Sequence, residues 1–233
     1  AIVHRRADSQ WSASSLTYPG TIAQREPLAR ADRWNFFYRL VFELVQCETR
    51  EQLAQVALER LLEELGLAAG GVVTIESENR TGDPNVKLDE TVDTVAAADQ
   101  ALPPLAVLAT RQPDGESYHR VSDFLVRTLI RDRQAVLARN VMDDSQLALA
   151  RESAARSVVS IICAPLRVRV ASAVATAGDQ PIVGILHVYS AGDERMLSDA
   201  DLELAVGVAD NLAIALDRHA ANERLSHSLA QSR

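Results

Sequence analysis

Lysine is almost missing from this chain: Lys87 is the only one among 24 basic residues. Schiff-base and lysine-nucleophile chemistry therefore has a single candidate, in a polar stretch. Cysteine is scarce too. Cys47 and Cys163 each sit in an apolar run, which excludes a disulfide-framed secreted scaffold and points to a reducing, cytoplasmic compartment. No apolar run reaches the ~18 residues of a membrane span. The opening residues AIVHRRADSQW lack the hydrophobic stretch of a signal peptide. There is no G-x-S-x-G elbow, P-loop or G-x-G-x-x-G. None of His4, His119, His187, His219 and His227 stands at metal-ligand spacing from another histidine or cysteine. No metal or haem is expected. A net charge of −8 and a pI near 5.2 leave no concentrated basic surface for phosphates, so direct contact with nucleic acid is not expected, nor is contact with a membrane.

What is present is ordinary core-forming material, 47% hydrophobic and 24% charged residues over 233 positions. Residues 1–33 show no sustained periodicity and read as a linker or the tail of an upstream domain. Trp34, Phe37, Val41 and Leu44 fall at helical spacing, predicting a helix over 34–46. Thr49 and Gln52 form a capping box for a second helix over 49–65, and Gly66 ends it. Short strands are predicted over 72–75, 105–110 and 135–138. Ser122 can cap a helix carrying Phe124, Leu125, Leu129 and Ile130, and a small helix is expected over 145–155. Residues 76–103 are acidic and turn-rich, and are expected to be a mobile insertion.

Nearly continuous apolar runs over 158–166 and 181–189 predict strands buried on both faces. Ser198 caps a last, long helix over 198–228. The expected fold is α+β: a central antiparallel sheet with the N- and C-terminal helices packed on one face.

Three stretches carry a family resemblance. VSDFLVRTLIRDRQAVLARNVMDD, ARSVVSIICAPLRV and PIVGILHVYSAGDERMLSDADLELAVGVADNLAIALDRH resemble, in order, the short helix and strand, the "G-[IV]-R-S-…-C-[AV]-P-L" strand, and the "G-V-L-x-[LV]-x-S" strand with its long helix in GAF domains. The likeness is strong after residue 121 and thinner over 76–120. The long acidic insertion and Ala155, where glycine is usual, depart from the pattern. The expected layout is a GAF domain over 34–229 and a tail, 230–233, leading to a downstream domain. The resemblance is to GAF modules that follow a forkhead-associated domain in bacterial signalling proteins. It implies a PAS/profilin-like fold and a non-catalytic sensory or regulatory role, with an output domain of a transcription regulator. Alternatives are a ligand-free dimerisation or spacer module, or the GAF domain of a cyclase or kinase. The full-length protein would carry any ATPase or cyclase activity. Methionine-sulfoxide reductases of this family use several pocket cysteines, which one Cys163 cannot replace.

No residue set names a cofactor; a small cytosolic molecule is the ligand that the resemblance implies. In an extended strand His187 and Tyr189 share a face, and two polar-tipped rings on one face mark a cavity wall. The expected pocket is bordered by His187, Tyr189, Leu125, Thr128 and Asn140, and by His119 or Arg120. The bland reading, edge-of-core residues bonded to backbone, stays open. Cys163 and Cys47 read as core. Asn85-Val86-Lys87-Leu88-Asp89-Glu90 shares letters with the cyclic-nucleotide-binding GAF set, but compressed into the insertion, and reads as a solvated charge run. Trp34 and Phe37 on the entry helix, with Leu212, Leu216, Leu225 and Leu229 on the last, are expected to build a homodimeric four-helix bundle.

Overall fold

In a computed structural model the structure describes residues 2–6, 26–75, 102–113, 118, 120–139, 158–168, 180–191 and 195–231, with side chains from residue 32 onward. Six strands form one antiparallel sheet: β1 (Ile2–Arg6), β2 (Ala69–Ile75), β3 (Leu105–Arg111), β4 (Ala135–Arg139), β5 (Val158–Arg167) and β6 (Ile182–Ala191). Their spatial order is β1-β4-β5-β6-β2-β3. Among the described residues four helices accompany them: α1 (Glu26–Gln46), α2 (Arg50–Leu65), α3 (Asp123–Asp132) and α4 (Asp199–Gln231).

The period of two in β5 and β6 divides the core. Ile162, Ala164, Leu166, Leu186 and Val188 pack with α1, α2 and α4 in one cluster. Their neighbours Ile161, Cys163, Ile185 and Tyr189 pack with α3 in another. The two central strands thus need apolar residues at nearly every position, which is why they read as unbroken runs. The terminal helices share one face of the sheet, as expected.

Local chemistry fixes the ends of α2 and α3. The Thr49 side chain accepts from the Gln52 backbone and the Gln52 side chain accepts from the Thr49 backbone. Gly66 closes α2 in the left-handed region at φ 65°, its N–H turned back to Glu63 and Leu62. Ser122 caps α3 through Leu125 N–H.

At the start of α4 the Ser198 backbone and hydroxyl both donate to Asp201 Oδ2, at 2.7 Å each. Arg195 grips the same carboxylate through two nitrogens at 2.7 and 2.9 Å and also donates to the Leu65 carbonyl at the end of α2. Burial alone would raise the Asp201 pKa, but Arg195 and Ser198 hold it below its ordinary value. Asp201→Asn is therefore expected to lower stability at pH 7 by about 1–3 kcal/mol, read as a shifted urea midpoint. That loss should shrink as pH falls through the depressed pKa, because the protonated wild-type side chain then makes weaker bonds too.

Two elements lie within 1–33, which the sequence reading treats as linker. β1 pairs with β4 along its length, a contact made by backbone groups across more than a hundred residues, so no local period announces it. α1 begins at Glu26 rather than 34. Pro27 sits in the first helical turn, where its missing N–H would have had no partner anyway. The expected insertion 76–103, apart from its last two residues, and the expected helix 145–155 lie outside the described residues.

Candidate functional site

On the α3 side of the sheet, β6 presents His187 and Tyr189, both about 99–98% buried. Across the sheet His187 stands opposite Gly71 of β2 and Cys163 of β5. Leu125 and Thr128 come down from α3 and are buried as well. The expected wall residues are thus on one face, turned away from the terminal helices. Asn140 and His119 lie outside the described residues, and Arg120 is exposed.

The partner that sequence reasoning missed is Tyr118. Its hydroxyl lies 2.8 Å from His187 Nε2, with ring centroids 5.7 Å apart and tilted by 47°. Gly71 makes the approach possible: a Cβ there would lie 2.8 Å from both His187 Nε2 and Tyr118 Cε2. The His187 and Tyr189 rings are nearly parallel, at 10°, with centroids 6.5 Å apart. Nothing in the local sequence SYHR marks Tyr118, because its partner lies 69 residues further on.

His187, Tyr118 and Cys163 are all uncharged at neutral pH. Burial lowers the His187 pKa to about 3, so the imidazole is uncharged at pH 7. Burial first, then Cys163 and Tyr189, raise that of Tyr118 against the pull of Arg120. Burial raises the Cys163 thiol to about 12, so it is no nucleophile. His187 Nδ1 is buried and has no hydrogen-bond partner among the described residues. These groups can recognise by hydrogen bond and ring stacking, and none of the three is poised to transfer a proton near neutral pH. Among the described residues no cluster of three histidine, cysteine or acidic side chains could hold a metal.

The expected dimer residues separate into two sets. Leu212, Leu216 and Phe37 are buried in the chain's own core and cannot serve as a contact surface. Trp34 is 61% exposed, and with Tyr38, Val41, Phe42 and Val45 it forms the outer side of α1. At about 100° per residue, Leu225 lies nine residues and about 180° from Leu216, on the opposite side of α4. It lies eleven residues and only about 20° from Ile214, which is exposed, as are Leu225 and Leu229. The apolar stripe that leaves the domain therefore continues Ile214, not Leu212 and Leu216. Gly207 lets α1 and α4 close together, since a Cβ there would sit 2.5 Å from Phe37 Cζ.

One route leads from the site strand to α4. Ser190, next to Tyr189, shares a buried hydroxyl bond of 2.7 Å with Ser160 of β5. Ser160 Oγ in turn accepts from Leu197 N–H at 3.0 Å, just before the Ser198 cap. Arg139 of β4 donates to the Leu197 carbonyl.

Among the described residues, no helix is long and apolar enough to cross a membrane. No curated protein matches the chain. Among solved structures, the GAF domain of Acinetobacter phosphoenolpyruvate-protein phosphotransferase superimposes with a TM-score of 0.56 at 13% identity, covering 81% of this chain and 95% of that one. A far-red cyanobacteriochrome photoreceptor gives 0.50 at 11% identity, covering 82% and 98%. At these identities the likeness speaks for the fold alone. The family profile described as GAF domain matches residues 47–217, which take in the α3-side cluster, the site strand, the buried part of α4 and all of the helix-side cluster except what α1 contributes. The chain belongs to the GAF domain family, whose members are generally non-catalytic sensory and regulatory modules of signalling proteins.

Proposed function

We propose that the chain senses a small cytosolic molecule on the His187–Tyr189 face and passes the change through its terminal helices, as a homodimer, to the output domain of a transcription regulator. The observation that carries this reading is the double use of β6. His187 and Tyr189 face α3, Leu186 and Val188 pack on the helices, and Ser190 ties the strand through Ser160 to the start of α4. A ligand that moves β6 would act on α4 without any intermediate domain. It can shift the helix only by its differential affinity for two arrangements. The exposed apolar sides of α1 and α4 supply the surface for a second copy.

A spacer without ligand is favoured by a different observation: His187, Tyr189, Leu125 and Thr128 are all buried by the chain's own atoms. Native mass spectrometry of the gently purified chain distinguishes the two. The sensing reading expects a bound mass that is lost in His187→Phe, and slower hydrogen exchange at the start of α4 when the molecule is present. An empty wild-type chain, with α4 exchange unaltered by cell extract, would leave the spacer.

A further inference from the structure

The bonding capacity of His187 is only half used. A neutral imidazole carries one N–H and one bare nitrogen. Tyr118 keeps its proton, because burial raises its pKa, and a phenol is a stronger hydrogen-bond donor than a neutral imidazole. The hydroxyl therefore donates to Nε2 across the 2.8 Å contact, and the ring's own proton lies on Nδ1. That leaves a buried donor without an acceptor among the described residues, an arrangement that is destabilising until an acceptor arrives.

Charge and shape narrow the acceptor. Burial alone accounts for the lowered basicity of His187; no described carboxylate or cation acts on it. A charged group placed there would be desolvated with no partner. Arg120 acts on Tyr118 but from an exposed position. The His187 and Tyr189 rings, parallel within 10°, and the tilted Tyr118 ring favour a flat body over a branched one.

Resting on the proposed sensing role, we infer that this face binds an uncharged, planar molecule bearing a carbonyl acceptor of amide or lactam type, whose oxygen accepts from His187 Nδ1–H. Tyr118 holds the tautomer that makes this possible, and so acts as a positioning residue.

The test is proton–nitrogen NMR of the wild-type chain labelled at histidine, with His187→Phe used to assign the ring signals. The probes are benzamide, benzoate, benzamidinium and toluene. The free chain is expected to show the Nδ1–H tautomer at His187. Benzamide should shift that signal and bind at least tenfold more tightly than the other three. An Nε2–H tautomer in the free chain overturns the inference. So does benzoate binding as tightly as benzamide, which would make the class anionic with Arg120 as counter-ion. Equal binding of benzamidinium or toluene, or silence from all four probes, also overturns it. The sensing role is decided separately by the mass carried through purification: a bound molecule of any charge, lost in His187→Phe, keeps that role when the benzamide result fails.

Discussion

Replacing Leu212 by glutamate is expected to unfold the chain rather than separate two copies of it. Leu212 is fully buried among residues of α1, α2, α4 and the sheet. Truncating such a leucine to alanine already costs about 2–5 kcal/mol. A carboxylate adds several more for a charge buried without a partner, against a typical total stability of 5–15 kcal/mol. Leu212→Glu should therefore lose its cooperative thermal transition. Ile214→Glu and Leu225→Glu, two and thirteen residues further on but on the solvent side of α4, should keep the wild-type melting profile. If α1 and α4 form the proposed dimer, these two variants should run as monomers in light scattering at tens of micromolar, where the wild type does not. An Ile214→Glu variant that unfolds as Leu212→Glu does would mean that α4 has no free side.

Lowering the pH from 7 to 4.5 is expected to destabilise the wild-type chain by about 2–3 kcal/mol more than His187→Phe. The buried imidazole has a pKa near 3, against an ordinary value of 6.5. Above pH 6.5 it is neutral in both folded and unfolded chains and contributes no slope. Below 6.5 the unfolded chain takes up a proton that the folded chain refuses. Stability then falls by roughly 1 kcal/mol per pH unit until the folded pKa is reached. Asp201, held below 3.8, acts in the same direction but only below about pH 4, outside this window. Urea titrations of both chains at pH 7, 5.5 and 4.5 measure the difference. Parallel losses in the two would show that His187 is solvated or paired in the folded state.

The elements legible in the sequence are those whose cause is local or periodic. β5 and β6 announce themselves because both their faces are buried, and Thr49, Gln52 and Gly66 mark α2 because caps act within four residues. The facing of His187 and Tyr189 follows from the period of two. Tyr118 and Gly71 stayed hidden because their roles exist only across strands, where a missing Cβ in β2 makes room for a loop residue over β6. Leu212 and Leu216 face the chain's own core and not a partner for a geometric reason. Leucines in series along a helix look like one stripe, yet the nine-residue step from Leu216 to Leu225 carries it to the far side.

β1 has a practical consequence for anyone shortening this chain. The family match begins at residue 47, and a version cut there would also lose α1, with Phe37 leaving a hole above Gly207 and Leu40 another in the same core cluster. A cut at 34 looks safer but removes the partner of β4, whose Ala135, Val136, Leu137 and Ala138 are apolar and pair with β1 on that side. Their uncapped N–H and C=O groups would form an open sheet edge, a template on which another molecule could add its own strand. A chain trimmed in this way should precipitate on concentration although its core is intact, so poor solubility there would report a stripped edge and not a failed fold.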